Sequence, residues 1–268
     1  MKSNIKKIGV ILAACSLSLM AQAQIIDSLT GSLSGYTSTL VLDNSLGAGN
    51  GVSFSSSGFG LQTDFIGASS TPEQALFLAP LSYFSTTFAV GDRLTVNVAI
   101  PDGPQSGSYT ADFGLAISAT ATPTAAGSGN GYNSRTSFDW ASISVRPPQS
   151  SIRENSSISG VLVTGANVHS GVAASTVTQL YIDWVSPLVF DLGWVDGTGA
   201  HLGETVTFNS GSTIGAAIGF YSDQRLQGGI TGLGYFTDLA IQPIPEPTTM
   251  AFCGMGFAGL IVWLRRKK

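Results

Sequence analysis

Apolar residues alternate with polar ones over most of the chain. In "RLTVNVAI" the positions Leu94, Val96, Val98 and Ile100 share one face, and in "SFDWASISV" Phe138 and Trp140 stand against Ile143 and Val145. The stretches "QLYIDWV", "LVFDLGWV", "TIGAAIGFYS" and "GYFTDLAIQ" read the same way. A period of two is the mark of a strand with one face buried. Gly-, Asn- and Asp-rich turns separate these runs: "PDGPQSG", "GSGNGYN", "VDGTG", "NSGS" and "LQGG". About a dozen short strands punctuated in this way predict an all-β fold over residues 24–242, an antiparallel β-sandwich of jelly-roll type. The one helical candidate is "TPEQALFLAPL", with Thr71 as cap, Pro72 at the first position and Pro80 as the stop. No internal repeat is visible, which disfavours a solenoid or propeller.

The two ends break the alternation. Lys2, Lys6 and Lys7 precede an apolar stretch from Ile8 to Met20 and then "AQAQ". A basic start, a short apolar segment and a small-x-small site make a secretory signal peptide over residues 1–23, with Ala21 and Ala23 set for the peptidase. "LAAC", ending at Cys15, is an alternative lipidation site with a shorter apolar segment ahead of it. At the other end, Met250 to Leu264 is uncharged and apolar, and Arg265, Arg266, Lys267 and Lys268 follow it. As a helix this run rises about 22 Å, short of a bilayer core of about 30 Å unless Thr248 and Thr249 extend it and the arginines snorkel. A transmembrane helix over about 249–264 is expected. The terminal cations then mark the cytoplasmic side, which leaves the middle of the chain outside.

Charge and cysteine usage sharpen that division. Cys15 and Cys253 are the only cysteines, so the middle has no disulfide and rests on its core alone. Between Gln24 and Pro247, five arginines face sixteen acidic residues, an excess of eleven negative charges, and every lysine lies in an end segment. Phosphate neutralisation needs clustered cations, so nucleic-acid binding is excluded.

Pro245-Glu246-Pro247 sits directly ahead of the apolar run. Prolines on both sides of Glu246 hold the backbone extended, and Pro243 lengthens the stiff spacer. The ordered triplet, apolar helix and basic end resemble the PEP-CTERM sorting signal of Gram-negative bacteria over residues 243–268. The same tail is also catalogued as an ice-binding protein C-terminal domain, a name that describes the shared tail. The resemblance implies recognition by exosortase, a membrane enzyme with a cysteine-type active site, after signal peptidase has acted. It further implies a membrane-anchored precursor that ends at the cell surface or in the extracellular matrix, in association with exopolysaccharide.

Catalytic chemistry is hard to find in the middle. His169 and His201 are its only histidines; "VDGTGAHLGE" brings Asp196, His201 and Glu204 together with Asp191 just before, without a metal-ligand spacing. Asp196-Gly197 reads more simply as a type I′ hairpin pair. Asp43-Asn44 and Gly47-Asn50 could lend oxygens to Ca²⁺ but read as turns, so no metal and no cofactor is expected. Thr120, Thr122 and Thr124 in "ATATPT" form a single copy of a threonine ladder. Trp140, Trp184 and Trp194 could stack on sugar rings or could be core. Glutamates outside the tail are few (Glu73, Glu154, Glu204), which disfavours a carboxylate-pair glycosidase. The sequence therefore predicts a non-enzymatic exported surface protein, with a lectin-like carbohydrate-binding module as the alternative.

Overall fold

The computed structural model describes residues 23–42, 51–66, 73–100, 110–121, 138–159, 161–209, 217–225 and 234–244. Residues 25–241 form one compact unit. A second unit joins 1–24 with 242–268, of which only 23–24 and 242–244 are described. Ala21, the leader, the Pro245-Glu246-Pro247 triplet, the apolar run and Arg265 to Lys268 lie outside the described residues, as do Asp43-Asn44, Gly47-Asn50, Thr122 and Thr124. Ala23 is described and exposed. No helix among the described residues is long and apolar enough to cross a membrane.

Fifteen strands are described: β1 (Gln24–Asp27), β2 (Thr37–Leu42), β3 (Gly51–Ser57), β4 (Gly60–Ile66), β5 (Glu73–Pro80), β6 (Asp92–Ala99), β7 (Thr110–Ser118), β8 (Trp140–Arg146), β9 (Ser151–Ile158), β10 (Val161–Ser170), β11 (Gln179–Ser186), β12 (Val189–Asp196), β13 (Gly199–Thr207), β14 (Ala217–Arg225) and β15 (Tyr235–Pro243). They make two sheets. The first runs β13-β12-β11-β6-β15-β4-β3, with β1 added beside β15; the second runs β10-β9-β8-β7-β14-β5-β2. Every pairing whose register is defined is antiparallel. The fold is an all-β, antiparallel two-sheet sandwich.

The core follows from the alternation. Phe113, Leu115 and Ile117 of β7, Ile143 and Val145 of β8, and Phe220 of β14 face inward from the second sheet, where they meet Leu94, Val96, Leu180, Ile182 and Phe236 of the first. Burying a side chain of this size stabilises by about 1.5–3 kcal/mol, so this layer dominates the fold.

One expected element differs. Glu73–Pro80 is not a helix but strand β5, held between β14 and β2. Gln74, Leu76 and Leu78 are buried on one side and Ala75, Phe77 and Ala79 on the other. A short apolar run buried on both faces has no alternation to read, and the flanking prolines mimic helix punctuation. The hairpin at Asp196 also differs in detail. Neither Asp196 nor Gly197 has a positive φ; Gly199, with φ 129°, takes that conformation. The Asp196 carboxylate accepts the Thr198 backbone N–H at 2.8 Å, an Asx turn that holds the bend.

Candidate functional site

Both histidines of the chain converge on Trp194. It projects inward from β12 opposite His201 of β13, and the two rings stack at 5.0 Å and 14°. His169 of β10 also packs on it, tilted at 48° with 4.8 Å between centroids. His201 Nε2 is 2.9 Å from Asp196 Oδ1, and these partners with Thr198 hold the Asp196 carboxyl below its ordinary range, the Thr198 hydrogen bond first and His201 second. His169 Nε2 is 3.2 Å from Glu154 Oε1 of β9. The Glu154 side chain is fully buried, and burial, followed by the nearby charge of Glu204, pushes its carboxyl up to about 8. Gly203 makes this possible, since a Cβ there would collide with Glu154 Oε1. The cluster ties the edge of one sheet to the edge of the other. Sequence spacing found Asp196, His201 and Glu204; it had no means of bringing Glu154 and His169 to them, because these lie on strands of the other sheet. Among the described residues no three His, Cys, Asp or Glu side chains could hold a metal ion.

The second arrangement was not visible in the sequence. It occupies the outward face of the second sheet, away from the core. Asp112 of β7 and Asp223 of β14 stand directly opposite each other. Like charges in that position repel. Arg146 of β8 answers with a bidentate pair to Asp112, Nε to Oδ1 at 2.5 Å and Nη2 to Oδ2 at 2.9 Å. Arg153 of β9 reaches over β8 to both carboxylates, Nη1 lying 3.4 Å from Asp112 and 3.7 Å from Asp223. Gln74 of β5 donates from Nε2 to Asp223 Oδ2 at 3.0 Å. Burial lowers the Arg146 pKa, but the Asp112 charge and hydrogen bonds outweigh it, so the guanidinium stays charged. On the same face Trp140 and Tyr221 stack at 5.6 Å, against Ala116, Leu76 and Leu78.

The three tryptophans thus have separate surroundings. Trp140 is 0 % exposed beside Tyr221 on the outward face of the second sheet. Trp194, 5 % exposed, is in ring contact with both histidines. Trp184 of β11 is half-buried against Phe88 and Phe190. They do not line up as one exposed strip. Thr120 lies half-buried just past β7.

These features define the class: an all-β antiparallel two-sheet sandwich. Residues 243–267 match the PEP-CTERM protein-sorting motif, so the chain carries an exosortase sorting signal at its C-terminus, and that signal implies export and surface sorting. No curated protein matches the chain. Among solved structures, it is similar to a β-glucanase of Bacillus licheniformis at 14 % identity, covering 81 % of this chain and 96 % of that one with a TM-score of 0.38. It is similar to a prokaryotic β-1,3-1,4-glucanase (lichenase) from a mouse hindgut metagenome at 12 % identity, covering 81 % and 98 % with a TM-score of 0.40. A native glycosidic hydrolase follows at 13 % identity, 85 % and 97 % coverage and a TM-score of 0.39. Likeness at this distance says nothing about activity.

Proposed function

We propose that this chain is a non-enzymatic protein of the cell surface or extracellular matrix, delivered by its tail and associated with exopolysaccharide. The observation that carries the reading is the sorting motif at residues 243–267, behind a leader that exports the sandwich. The precursor is anchored by a transmembrane helix over about 249–264, with Arg265 to Lys268 in the cytoplasm, until exosortase acts at Pro245-Glu246-Pro247. The sandwich is of jelly-roll type, which the repeated crossings support: β5, β7 and β14 lie in one sheet, and β6 and β15, their neighbours in sequence, in the other. A structural role is supported by the chemistry of the buried carboxylates. Asp112 and Asp223 are neutralised by arginines, and Glu154 has no exposed side-chain surface, so none of the three is presented as an acid–base pair to a substrate.

Replacing Glu246 by Ala tests the reading. The residue lies outside the hydrocarbon, so the change leaves insertion energetics untouched. In a host carrying the cognate exosortase, the variant is expected to be exported and to remain in the membrane fraction as uncleaved precursor. Processing and release like the wild type, on immunoblots of membrane and medium, overturns the sorting role of the triplet.

A further inference from the structure

The β3–β4 hairpin turns on Gly58 and Phe59, and Phe59 is 74 % exposed, more than any other large apolar side chain among the described residues. A tight turn favours small or polar residues, so the fold does not call for an aromatic ring there. The ring is nonetheless placed: it lies against Tyr235 of β15, 5.8 Å between centroids at 49°. Gly60 lets the hairpin come this close, because a Cβ there would stand 2.4 Å from the Phe236 carbonyl oxygen and 2.9 Å from Thr237 Cγ2.

The pair borders a polar strip on the outward face of the first sheet. Leu61 and Phe236 are partners in register and both enter the core, so their neighbours Gln62 and Tyr235 share the outward side. Farther across, Asn97 of β6 stands opposite Gln179 of β11. Gln179 Nε2 donates to Asn97 Oδ1 at 3.3 Å, and Asn97 Nδ2 to Asp238 Oδ2 of β15 at 3.1 Å. Asp238 reaches this face through a break in the alternation: Phe236, Leu239 and Ile241 are all core, and Asp238 between them has a left-handed φ of 55°. Asn97 is exposed, while Gln62, Gln179, Tyr235 and Asp238 are half-buried. Gln62 Oε1, Gln179 Oε1 and Asp238 Oδ1 accept no hydrogen bond from the described residues. In the order β4-β15-β6-β11 the strip crosses three strand spacings, about 14 Å.

The chemistry of the strip selects its occupant. The two rings offer an apolar surface that stacks on the C–H side of a sugar ring. The free oxygens beside them accept hydroxyl protons, and the second amide hydrogens of Asn97 and Gln179 serve hydroxyl oxygens. Arg93, the cation on this face of β6, is engaged by Asp183 at 2.6 and 2.7 Å and lends nothing to an anion. The acidic excess between Gln24 and Pro247 repels a polyanion as well. Area disfavours a protein partner: two rings supply at most about 500 Å², whereas a stable interface needs roughly 800 Å² from each side.

We propose that Phe59, Tyr235 and the strip from Gln62 to Gln179 bind a neutral polysaccharide, one sugar stacking on the aromatic pair and the next lying across β15 and β6. This deepens the matrix reading, on which the choice of a polymer over a small polyol rests. The full-length protein in a polyoxyethylene detergent, which contains no sugar, is titrated calorimetrically with neutral hexasaccharides of glucose, mannose and xylose, and with a hexauronate. At least one neutral hexamer is expected to bind and the hexauronate not. Phe59→Ala should weaken that binding at least tenfold and Asn97→Ala at least threefold. Both side chains are exposed, so neither change opens the core. Should a variant misfold, hydrogen exchange on the wild type decides: the bound hexamer must slow exchange in peptides covering 54–64 and 235–241. Absence of binding by all three neutral hexamers, equal binding of the hexauronate, unchanged affinity in either variant, or protection confined to other strands overturns the site. A dimer in sedimentation that Phe59→Ala dissolves overturns it too, since a second copy would then cover the rings. Sorting is read separately: a protein that binds sugar although its Glu246→Ala variant is processed normally breaks the sorting reading alone, and a correctly sorted protein without binding breaks the sugar site alone.

Discussion

Asp112 and Phe113 are neighbours on β7 and point to opposite sides of one sheet. Phe113 meets Phe236 at 4.0 Å and Phe220 at 6.4 Å in the space between the sheets. Asp112, equally buried, meets two guanidiniums on the outward side. The inward face is what a sandwich of this length needs, since apolar burial offsets the chain entropy. The outward face is different in kind. Antiparallel sandwiches commonly leave that side to solvent, and a buried ion pair returns little net stability after desolvation. Two buried layers on one strand therefore have separate causes: the first is the fold, and the second is a specific arrangement kept in spite of its cost.

Truncation at these two adjacent positions separates the causes most sharply. Phe113→Ala is expected to cost about 3–5 kcal/mol, because it opens a cavity in the aromatic layer. Asp112→Ala alone is expected to cost about 3–5 kcal/mol as well, by leaving Arg146 and Arg153 buried beside one carboxylate fewer. The second change should be largely repaired by adding Arg146→Met, whereas no single partner substitution refills the space of Phe113. Denaturant melts of the four proteins decide the matter. If the double variant is as unstable as Asp112→Ala, the outward network is part of the fold after all.

The inward face was legible because its signal is local. Leu94, Val96 and Val98, or Ile143 and Val145, announce a strand within a few residues, and antiparallel order follows from the turns between them. β5 escaped that logic because apolar layers cover both of its sides, so "ALFLAP" shows no alternation. The outward network escaped for another reason. Asp112, Arg146, Arg153 and Asp223 are spread over more than a hundred residues, and only pairing through β9-β8-β7-β14 sets them side by side. Strand register, which decides those neighbours, is not written in any one segment. The tail is the opposite case: three features in order within about 25 residues are readable without any fold.

The histidine edge offers a comparison of smaller size between two acids. Glu154 is buried with its carboxyl raised to about 8, while Asp196 sits in a turn with its carboxyl lowered. A raised acid keeps its proton in the folded state after the unfolded chain has lost it near the usual carboxylate range. Folding then becomes less favourable as pH climbs from about 4.5 towards 8 and levels off above that, with a limiting slope of about 1.4 kcal/mol per pH unit for one proton. Glu154→Gln should remove this slope and leave the protein as stable at pH 8.5 as the wild type is at lower pH. Chemical melts at pH 5, 6.5 and 8.5 measure it; equal slopes in the two proteins would mean that burial does not hold the proton on Glu154.

The smallest expected effect belongs to Asp196, and it separates charge from geometry. Its carboxylate accepts the Thr198 N–H and hydroxyl, at 2.8 and 2.7 Å, and also faces His201. A partly exposed ion pair contributes little net stability, and an Asx turn depends on an acceptor oxygen rather than on a charge. Asp196→Asn keeps the acceptor and loses only the pair, so it should lower the urea midpoint little at pH 7, and high salt should shrink the loss further. Asp196→Ala loses both and should lower the midpoint more than Asn does, with no dependence on salt in the part that exceeds Asn. Urea midpoints of the three proteins at low and high sodium chloride separate the terms. If Asn costs as much as Ala and salt abolishes both losses, charge holds this hairpin, and the pairing of His201 with Asp196 contributes more than its half-buried position implies. If Ala alone is destabilised, the bend at Gly197 and Thr198 rests on one well-placed oxygen, and the stack of His201 on Trp194 follows from the backbone that this oxygen fixes.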